Sequence, residues 1–327
     1  MLQLYLFESM FCKHRKLLYI IIFLSRGILG FFSFLGLVVS LLVSMSFFTL
    51  IEQKILGSRQ IRQGPCETGH LGLLQPFADA IKLYTRGRSG EGENRLMIIV
   101  NSSFYLVLCL VIWLFLPLSS GFCTSYGLLS ILLVIGCSSL PLLLISWYRG
   151  CKYRVLGGLR LVSQLISYEV SCAFLFMSVA VLITNLCIIS PGTLRESFLL
   201  AGLPLALAFV PSFLAENMRS PFDFREGESE LVSGFNTELG GGGFAFCFMG
   251  EYVSIIFVGV LFFYFFFLKR VGRCLFLSRL YCMLLVFVRC LLPRFRYDKL
   301  MDFCWKFILP LSLFRYYYYR RVCFTKL

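Results

Sequence analysis

The sequence predicts an all-α integral membrane protein of about eight transmembrane helices, with an amphipathic interfacial helix and large loops on one face. Two observations predict this class. Hydrophobic residues make up 58% of the 327 residues and charged residues only 15%, whereas a soluble globular domain carries roughly 25% charged residues. Apolar runs of span length also recur along the chain, since about 20 apolar residues form a helix that crosses ~30 Å of hydrocarbon.

The apolar runs predict one helix bundle. They lie near residues 27–50, 96–118, 128–148, 156–186, 198–214, 244–268, 275–292 and 303–319. The seventh run is the weakest, because Arg279 and Arg289 interrupt it. Pro141, within the third run, is compatible with a bundle in which neighbouring groups satisfy the freed carbonyl. We therefore expect one transmembrane domain over residues 27–319, between an N-terminal extension (1–26) and a C-terminal tail (320–327).

The long connecting segments fall on one side of the membrane. With eight spans, residues 51–95, 149–155, 215–243 and 293–302 share a face by parity alone. Lys and Arg are somewhat more frequent on this face than on the other. The positive-inside rule therefore favours it as the inner side, by a modest margin.

Several classes of site are disfavoured. The net charge is +14, but the Lys and Arg residues flank apolar runs, which is typical of membrane-flanking charge rather than of a nucleic-acid surface. The fourteen cysteines form no CxxC pair, and the two histidines are far apart. Metal and iron–sulfur sites need clustered ligands. We therefore expect no bound redox centre, no metal, no disulfide and no nucleic-acid partner for this chain.

An amphipathic helix is predicted at residues 71–86. Pro76 suits a first helical turn. One apolar face and one polar face follow helical spacing: Leu74, Phe77, Ile81 and Tyr84 on the first, and Gln75, Asp79, Lys82 and Arg86 on the second. The pattern is compatible with simple interfacial packing, and equally with one wall of a cavity at the membrane boundary.

Glu169 lies at membrane depth in the fourth run. It falls about 180° around the helix from Arg160, so that arginine cannot neutralise it. A polar stripe of serines, Gln164 and Tyr168 on the Arg160 side is typical of helix packing. A carboxylate at this depth costs at least ~2.5 kcal/mol on insertion scales, so Glu169 needs a partner, a proton or water. Such acids commonly relay protons.

The segment 215–243 is acidic in a basic protein. Its acids are Glu216, Asp223, Glu226, Glu228, Glu230 and Glu238, against Arg219 and Arg225. The next span adds Glu251. Crowded carboxylates resist joint ionisation, so some of them should hold protons near neutrality. Interleaved apolar residues disfavour a plain solvated loop. Gly240–Gly243 lacks the setting of a phosphate-binding loop, and we expect no nucleotide there.

These segments, in order, resemble a known family. The matching stretches are Glu52–Gly57, Arg62–Pro65, Gly72–Leu83 (GLLQPFADAIKL), Leu159–Arg160, Ile166–Val170, Ala215–Glu216, Pro221–Asp223, Glu226–Asn236 (EGESELVSGFN), Pro293–Asp298 and Trp305–Lys306. They are similar to the quinone-site membrane subunits of mitochondrial NADH:ubiquinone oxidoreductase, respiratory complex I. The similarity extends from about Glu52 to Leu313.

The resemblance implies a function that periodicity alone does not. It implies eight transmembrane helices in the mitochondrial inner membrane, an organellar gene, and charged loops that face the matrix and dock the peripheral arm. Ubiquinone would be the substrate. NADH, FMN and the iron–sulfur clusters would belong to partner subunits. The partners would be the quinone-module subunits of the peripheral arm, neighbouring membrane-arm subunits and membrane lipids.

Residue roles carry over at matching positions. Glu52, Arg62, Asp79 and Arg219 would line or support the mouth of a quinone tunnel, with Arg294 and Arg296 on the charged surface nearby. The acidic path that couples quinone reduction to proton translocation would comprise Glu169, Glu216, Asp223, Glu226, Glu228, Glu230, Glu238 and Glu251. The chain departs from the family pattern at Gln53, at Asn217-Met218, at Arg225 and at Leu239.

Three alternatives remain at this stage. One is the homologous membrane subunit of a membrane-bound hydrogenase. Another is a secondary transporter that binds its substrate at Glu169, although we detect no internal repeat of the kind that transporters commonly show. A scaffold without chemistry would leave Glu169 and the acids from Glu216 to Glu251 unexplained.

Overall fold

The computed structural model describes residues 32–85, 95–116, 126–148, 152–183, 197–223, 239–266 and 271–324. In these ranges the chain is helical, without strands. The helices are α1 (Phe32–Arg59), α2 (Gln75–Thr85), α3 (Arg95–Val111), α4 (Gly127–Trp147), α5 (Lys152–Ile183), α6 (Ser197–Glu216), α7 (Gly241–Phe266), α8 (Val271–Leu291), α9 (Tyr297–Phe303) and α10 (Leu309–Phe324). A 3₁₀ turn, Ile112–Phe115, extends α3, and a π-helical segment, Cys304–Ile308, joins α9 to α10.

A helix coincides with each of the eight predicted apolar runs. Five helical stretches of the described chain are long and apolar enough to cross a membrane: Phe32–Arg59, Leu96–Phe115, Gly127–Trp147, Lys152–Val181 and Gly241–Phe266. A shorter apolar helix covers Pro204–Glu216. The all-α membrane class is thus confirmed, while the count of eight spans stays a prediction. The first run begins before residue 32, so its start lies outside the described residues, as does the extension 1–26.

The bundle is built around α5 and α7. Helix α5 packs against α4, α6 and α10, and α7 packs against α2, α3, α6 and α8. Phe176 of α5 meets Phe209 and Phe213 of α6 and Phe265 of α7, with ring centroids 5.7, 6.1 and 5.8 Å away. Such aromatic pairs add about 0.5–1.5 kcal/mol each beyond their buried area. This aromatic core fixes α6 between α5 and α7.

The polar stripe on α5 packs helices together, as its pattern favoured. The buried Gln164 amide donates hydrogen bonds to the carbonyls of Ala215 (2.8 Å) and Phe222 (3.0 Å). Ser163 bonds the Tyr297 hydroxyl at 2.7 Å. These two carbonyls lie before and after the turn that follows α6. By bonding both of them, Gln164 holds this turn against α5.

The chain between α1 and α2 folds back onto α1. The Lys54 ammonium donates to the Leu71 carbonyl at 2.6 Å. Gly72 has φ +72°, and a Cβ atom there would lie 2.3 Å from the Pro65 carbonyl oxygen. Only glycine combines that conformation with so close an approach. This return places α2 alongside α1 and α7.

Candidate functional site

A cavity of about 560 Å³ lies between α1, α2 and α7, and Met218, Arg219, Asp223 and Arg289 of α8 also line it. Its volume falls within the range of small-molecule sites, ~300–1,000 Å³. Its lining is mixed. The charged and polar residues are Ser46, Thr49, Glu52, Gln53, Asp79, Lys82, Arg219, Asp223, Glu251, Tyr252 and Arg289. The apolar residues are Met45, Leu56, Pro76, Ala80, Leu83, Met218, Phe244, Ala245, Phe248 and Met249.

Helix α2 forms one wall of this cavity. Asp79, Ala80 and Lys82 line it, while Phe77 and Ile81 on the other side of the helix are exposed. The Gln75 amide donates to the Asp79 carboxylate at 2.9 Å, one helical turn away. The helix predicted at 71–86 is therefore present with its two faces, but it begins later, at Gln75, and is described to Thr85. Arg86 lies outside the described residues. The geometry of the helix favours the cavity-wall interpretation over plain interfacial packing.

Glu52 is the centre of a buried charged cluster. Its Oε1 atom accepts from Arg219 Nη1 at 3.1 Å and from Arg289 Nη1, and its Oε2 atom accepts from the Tyr252 hydroxyl at 2.6 Å. The Arg219 guanidinium also stacks over the Tyr252 ring, 4.3 Å from its centroid. Burying charges is costly unless they are paired and hydrogen-bonded. Here one carboxylate and two guanidinium groups pair on the wall of the cavity.

Arg219 keeps its charge in this setting. Burial lowers the pKa of its guanidinium, but Tyr252 and Glu52 outweigh burial, so the pKa of Arg219 lies above its ordinary value. Glu251, which directly precedes Tyr252 in α7, adds to this attraction. The cavity therefore presents a permanent cation to any ligand.

The turn after α6 carries several cavity residues. Met218 has φ +50°, its N–H bonds the Ala215 carbonyl, and the Arg219 N–H bonds the Leu214 carbonyl. This pair of bonds is the Schellman helix end, whose left-handed residue is usually Gly or Asn. A larger side chain in that conformation costs of order 1–3 kcal/mol. The turn places the Arg219 side chain against Glu52 and leaves Met218 buried.

Asp223 connects the cavity to the segment before α9. Its carboxylate lies 3.9 Å from the half-exposed guanidinium of Arg294. The Phe295 N–H bonds the Pro221 carbonyl at 3.0 Å, and the Phe222 and Phe295 rings stack 5.7 Å apart. The two connecting segments thus meet on the face where parity placed them.

Glu169 and Glu216 form a second group, deeper in the bundle. A Cβ atom on Gly136 of α4 would lie 2.2 Å from Glu169 Oε1, so the missing side chain makes room for this carboxyl. The buried Cys172 thiol donates to Glu216 Oε2 at 3.5 Å. The Glu169 and Glu216 carboxyls also interact electrostatically. Neither has an ion pair within the described part of the chain.

The predicted site residues are thus divided among several places. Glu52, Asp79, Arg219, Asp223 and Glu251 line the one cavity. Arg62 is exposed and bonds Gln60 at 2.8 Å, outside that lining. Arg296 is at the surface, 3.0 Å from Asp298. The remaining predicted acids, Glu226, Glu228, Glu230 and Glu238, lie outside the described residues.

Two cluster residues were not among the predicted site residues. Arg289 was noted only as an interruption of an apolar run, although a cation within such a run is itself a signal of function. Tyr252 had no separate signal in the sequence beyond its place beside Glu251. Among the described residues, no group of three His, Cys, Asp or Glu could hold a metal ion.

The sequence of the chain is similar to those of several known proteins. The family model described as NADH dehydrogenase matches residues 32–319. NADH-ubiquinone oxidoreductase chain 1 of Anopheles gambiae is 42% identical over 293 residues, which cover 88% of this chain and 93% of that protein. The Locusta migratoria protein of the same name is 42% identical over 299 residues, covering 86% and 91%. The protein of that name from Sminthopsis macroura is 40% identical over 289 residues, covering 84% and 91%.

Proposed function

This chain belongs to the NADH dehydrogenase family, and from that premise we propose that its large cavity admits ubiquinone and that its acids couple quinone reduction to proton movement. The chain is a multi-pass membrane subunit of the NADH:ubiquinone oxidoreductase of the mitochondrial inner membrane. Its partners are other subunits of that complex. Within them, we assign the nearest contacts to the quinone module of the peripheral arm and to neighbouring membrane-arm subunits.

The observation that carries this proposal is the mixed character of the cavity. A quinone has a polar head with two carbonyl acceptors and an apolar isoprenoid tail. The wall around Glu52, Arg219 and Arg289 supplies buried donors and positive charge, while Met45, Phe244, Phe248 and Met249 supply an apolar surface. In small-molecule sites, placed polar groups orient the polar part of a ligand and hydrophobic side chains bind its apolar part.

The acidic residues in and near the cavity support a role in proton translocation. Reducing a quinone to a quinol consumes two electrons and two protons, so negative charge or a proton demand arises in the cavity. The electrons would be supplied by an iron–sulfur centre of a partner subunit, itself reduced by NADH through FMN. Asp79, Asp223 and Glu251 face the cavity, and Glu216 and Glu169 lie further into the bundle. A change of charge in the cavity alters the proton affinity of these groups in order of distance.

Two alanines on α2 provide a matched test of the quinone cavity. Ala80 lines it, whereas Ala78 is exposed on the same helix. In the assembled complex, Ala80→Phe should raise the apparent KM for quinone several-fold by filling part of the cavity. Oxidation of NADH by a water-soluble electron acceptor should stay unchanged. Ala78→Phe should leave the quinone KM close to that of the unmodified enzyme. Equal KM values for both variants and the unmodified enzyme would remove this cavity from the quinone path.

A further inference from the structure

Tyr281 of α8 is a buried tyrosine whose hydroxyl group lacks a partner. Only 3% of the residue is exposed, and its hydroxyl oxygen has no hydrogen-bond partner in the described part of the chain. Buried polar side chains are nearly always hydrogen-bonded, because an unpaired one is unfavourable. A phenylalanine would fill the same space without this cost. Packing alone therefore does not account for the hydroxyl.

Helix α7 holds the Tyr281 ring in place. The ring stacks with that of Phe262, with the centroids 5.8 Å apart. At Gly259, about one helical turn earlier, an added Cβ atom would lie 3.0 Å from Tyr281 Cδ1. The missing side chain of Gly259 thus lets the ring lie close to the α7 backbone. The hydroxyl is therefore held inside the bundle.

The hydroxyl interacts with groups on two other helices. Apart from its chain neighbour Cys282, Tyr281 interacts electrostatically with the Glu216 carboxyl at the end of α6 and with the Cys172 thiol of α5. The thiol and the carboxyl are themselves joined, since Cys172 donates to Glu216 Oε2 at 3.5 Å. Helices α5, α6 and α8 thus each bring one ionisable side chain to the same part of the bundle.

The surroundings of Glu216 offer little to its ionised form. Glu216 is the last residue of α6, and the partial negative charge at a helix C-terminus disfavours a carboxylate there. Its electrostatic neighbour Glu169 is another carboxyl group. The Cys172 thiol is only a weak hydrogen-bond donor, whereas a tyrosine hydroxyl is a good one. A hydroxyl donor to a carboxylate forms a short, strong hydrogen bond.

We propose that Tyr281 is a positioning residue for Glu216, and that its hydroxyl donates a hydrogen bond to the Glu216 carboxylate whenever that group has given up its proton. The hydroxyl keeps its own proton throughout, so Tyr281 holds the carboxylate and does not carry the transferred proton. A rotation of the flexible Glu216 side chain brings an oxygen to the hydroxyl, and reprotonation releases it. The unpaired hydroxyl of the structure corresponds to the protonated state.

One substitution separates this role from a packing role. This inference rests on the proposed function, because it concerns the proton that Glu216 exchanges during turnover. In assembled complex, Tyr281→Phe should lower kcat about tenfold, the lower end of what a hydrogen bond to a charged group contributes, with the quinone KM unchanged. It should not lower the thermal unfolding temperature, because the hydroxyl that it removes has no partner at rest. Tyr317→Phe, at an exposed site on α10, is the control and should change neither. An unchanged kcat in Tyr281→Phe would overturn the proposal.

A double variant distinguishes this inference from the proposed function. In a Glu216→Gln background, Tyr281→Phe should cause no further loss of kcat, because no carboxylate remains for the hydroxyl to hold. An equal loss in both backgrounds would overturn the role of Tyr281 and leave Glu216 in the proton path. Full activity of Glu216→Gln alone would instead count against the proposed function.

The hydrogen bond itself can be seen directly. Cryo-electron microscopy maps of the unmodified complex, frozen during turnover with NADH and quinone, should include a state with the Tyr281 hydroxyl about 2.7 Å from a Glu216 oxygen. Maps in which no state reaches this distance, or in which the hydroxyl always bonds another group, would overturn the proposal. Neither outcome depends on the activity of a variant, so the maps decide if Tyr281→Phe does not assemble.

Discussion

The Glu52 cluster and the Glu169–Glu216 pair place carboxyl groups within the helix bundle in opposite ways. Two guanidinium groups and a tyrosine hydroxyl surround Glu52. Glu169 and Glu216 have a glycine gap, a thiol and each other. A cation removes the need for a proton, because it stabilises the ionised form. The comparison therefore separates a cluster whose charge is fixed from a pair that must share protons or water.

The same difference predicts which substitutions lower the stability of the protein and which lower its activity. Removing one partner of a buried ion pair leaves an uncompensated charge, which destabilises a protein by about 3–5 kcal/mol. Neutralising a carboxyl that has no cation leaves no such charge behind. We therefore expect changes at Glu52 to affect assembly, and changes at Glu216 to affect turnover.

The largest effect is expected for Glu52→Ala. It leaves the largely buried Arg219 and the partly exposed Arg289 without their shared carboxylate, at a cost of up to about 3–5 kcal/mol. Little assembled complex should then be recovered, as measured by native gel electrophoresis of solubilised membranes. Glu67→Ala, at an exposed position, is the control and should assemble normally. Normal assembly and stability of Glu52→Ala would mean that the cluster does not hold α1, α7 and α8 together.

Glu216→Gln should have a smaller effect on the fold and a large one on activity. The amide preserves the shape of the side chain, and no ion pair of the described residues is lost. Because groups that transfer protons contribute about 10²–10⁴-fold to rates, we expect quinone-dependent turnover to fall about tenfold or more in assembled complex. The measurement is NADH:quinone turnover together with proton pumping. Asp302→Asn, at a surface pair with Lys306, should leave both unchanged. Full activity of Glu216→Gln would exclude Glu216 from the proton path.

The smallest effect is expected for Gly136→Ala, compared with Gly36→Ala. A Cβ atom at residue 136 meets the end of the flexible Glu169 side chain at 2.2 Å, whereas nothing lies within 4 Å of a Cβ atom at residue 36. Glu169 can move, so Gly136→Ala should assemble but lower turnover several-fold. Gly36→Ala should be neutral, or stabilise α1 by up to about 1 kcal/mol. Identical turnover in the two variants would show that the position of Glu169 is unimportant.

Much of the site follows from the family resemblance, but the pairing of its side chains does not. Glu52, Asp79 and Arg219 were expected in one place, and they line one cavity. Arg62 was expected with them, yet it is exposed beside Gln60. The chain between α1 and α2 folds back through contacts such as Lys54 to Leu71, and no local pattern indicates which side chains of that loop turn inward.

The sequence by itself determined the membrane class, the positions of the helices and the two faces of α2, because hydrophobic periodicity is a local property. It also predicted that Glu169 is an acid that the arginine of its own helix cannot neutralise. Only the tertiary structure decided that Arg289 and Tyr252 join Glu52 and that Gly136 makes room for Glu169. These outcomes depend on contacts between residues up to 237 positions apart, and such contacts arise from helix packing rather than from any short stretch of the chain.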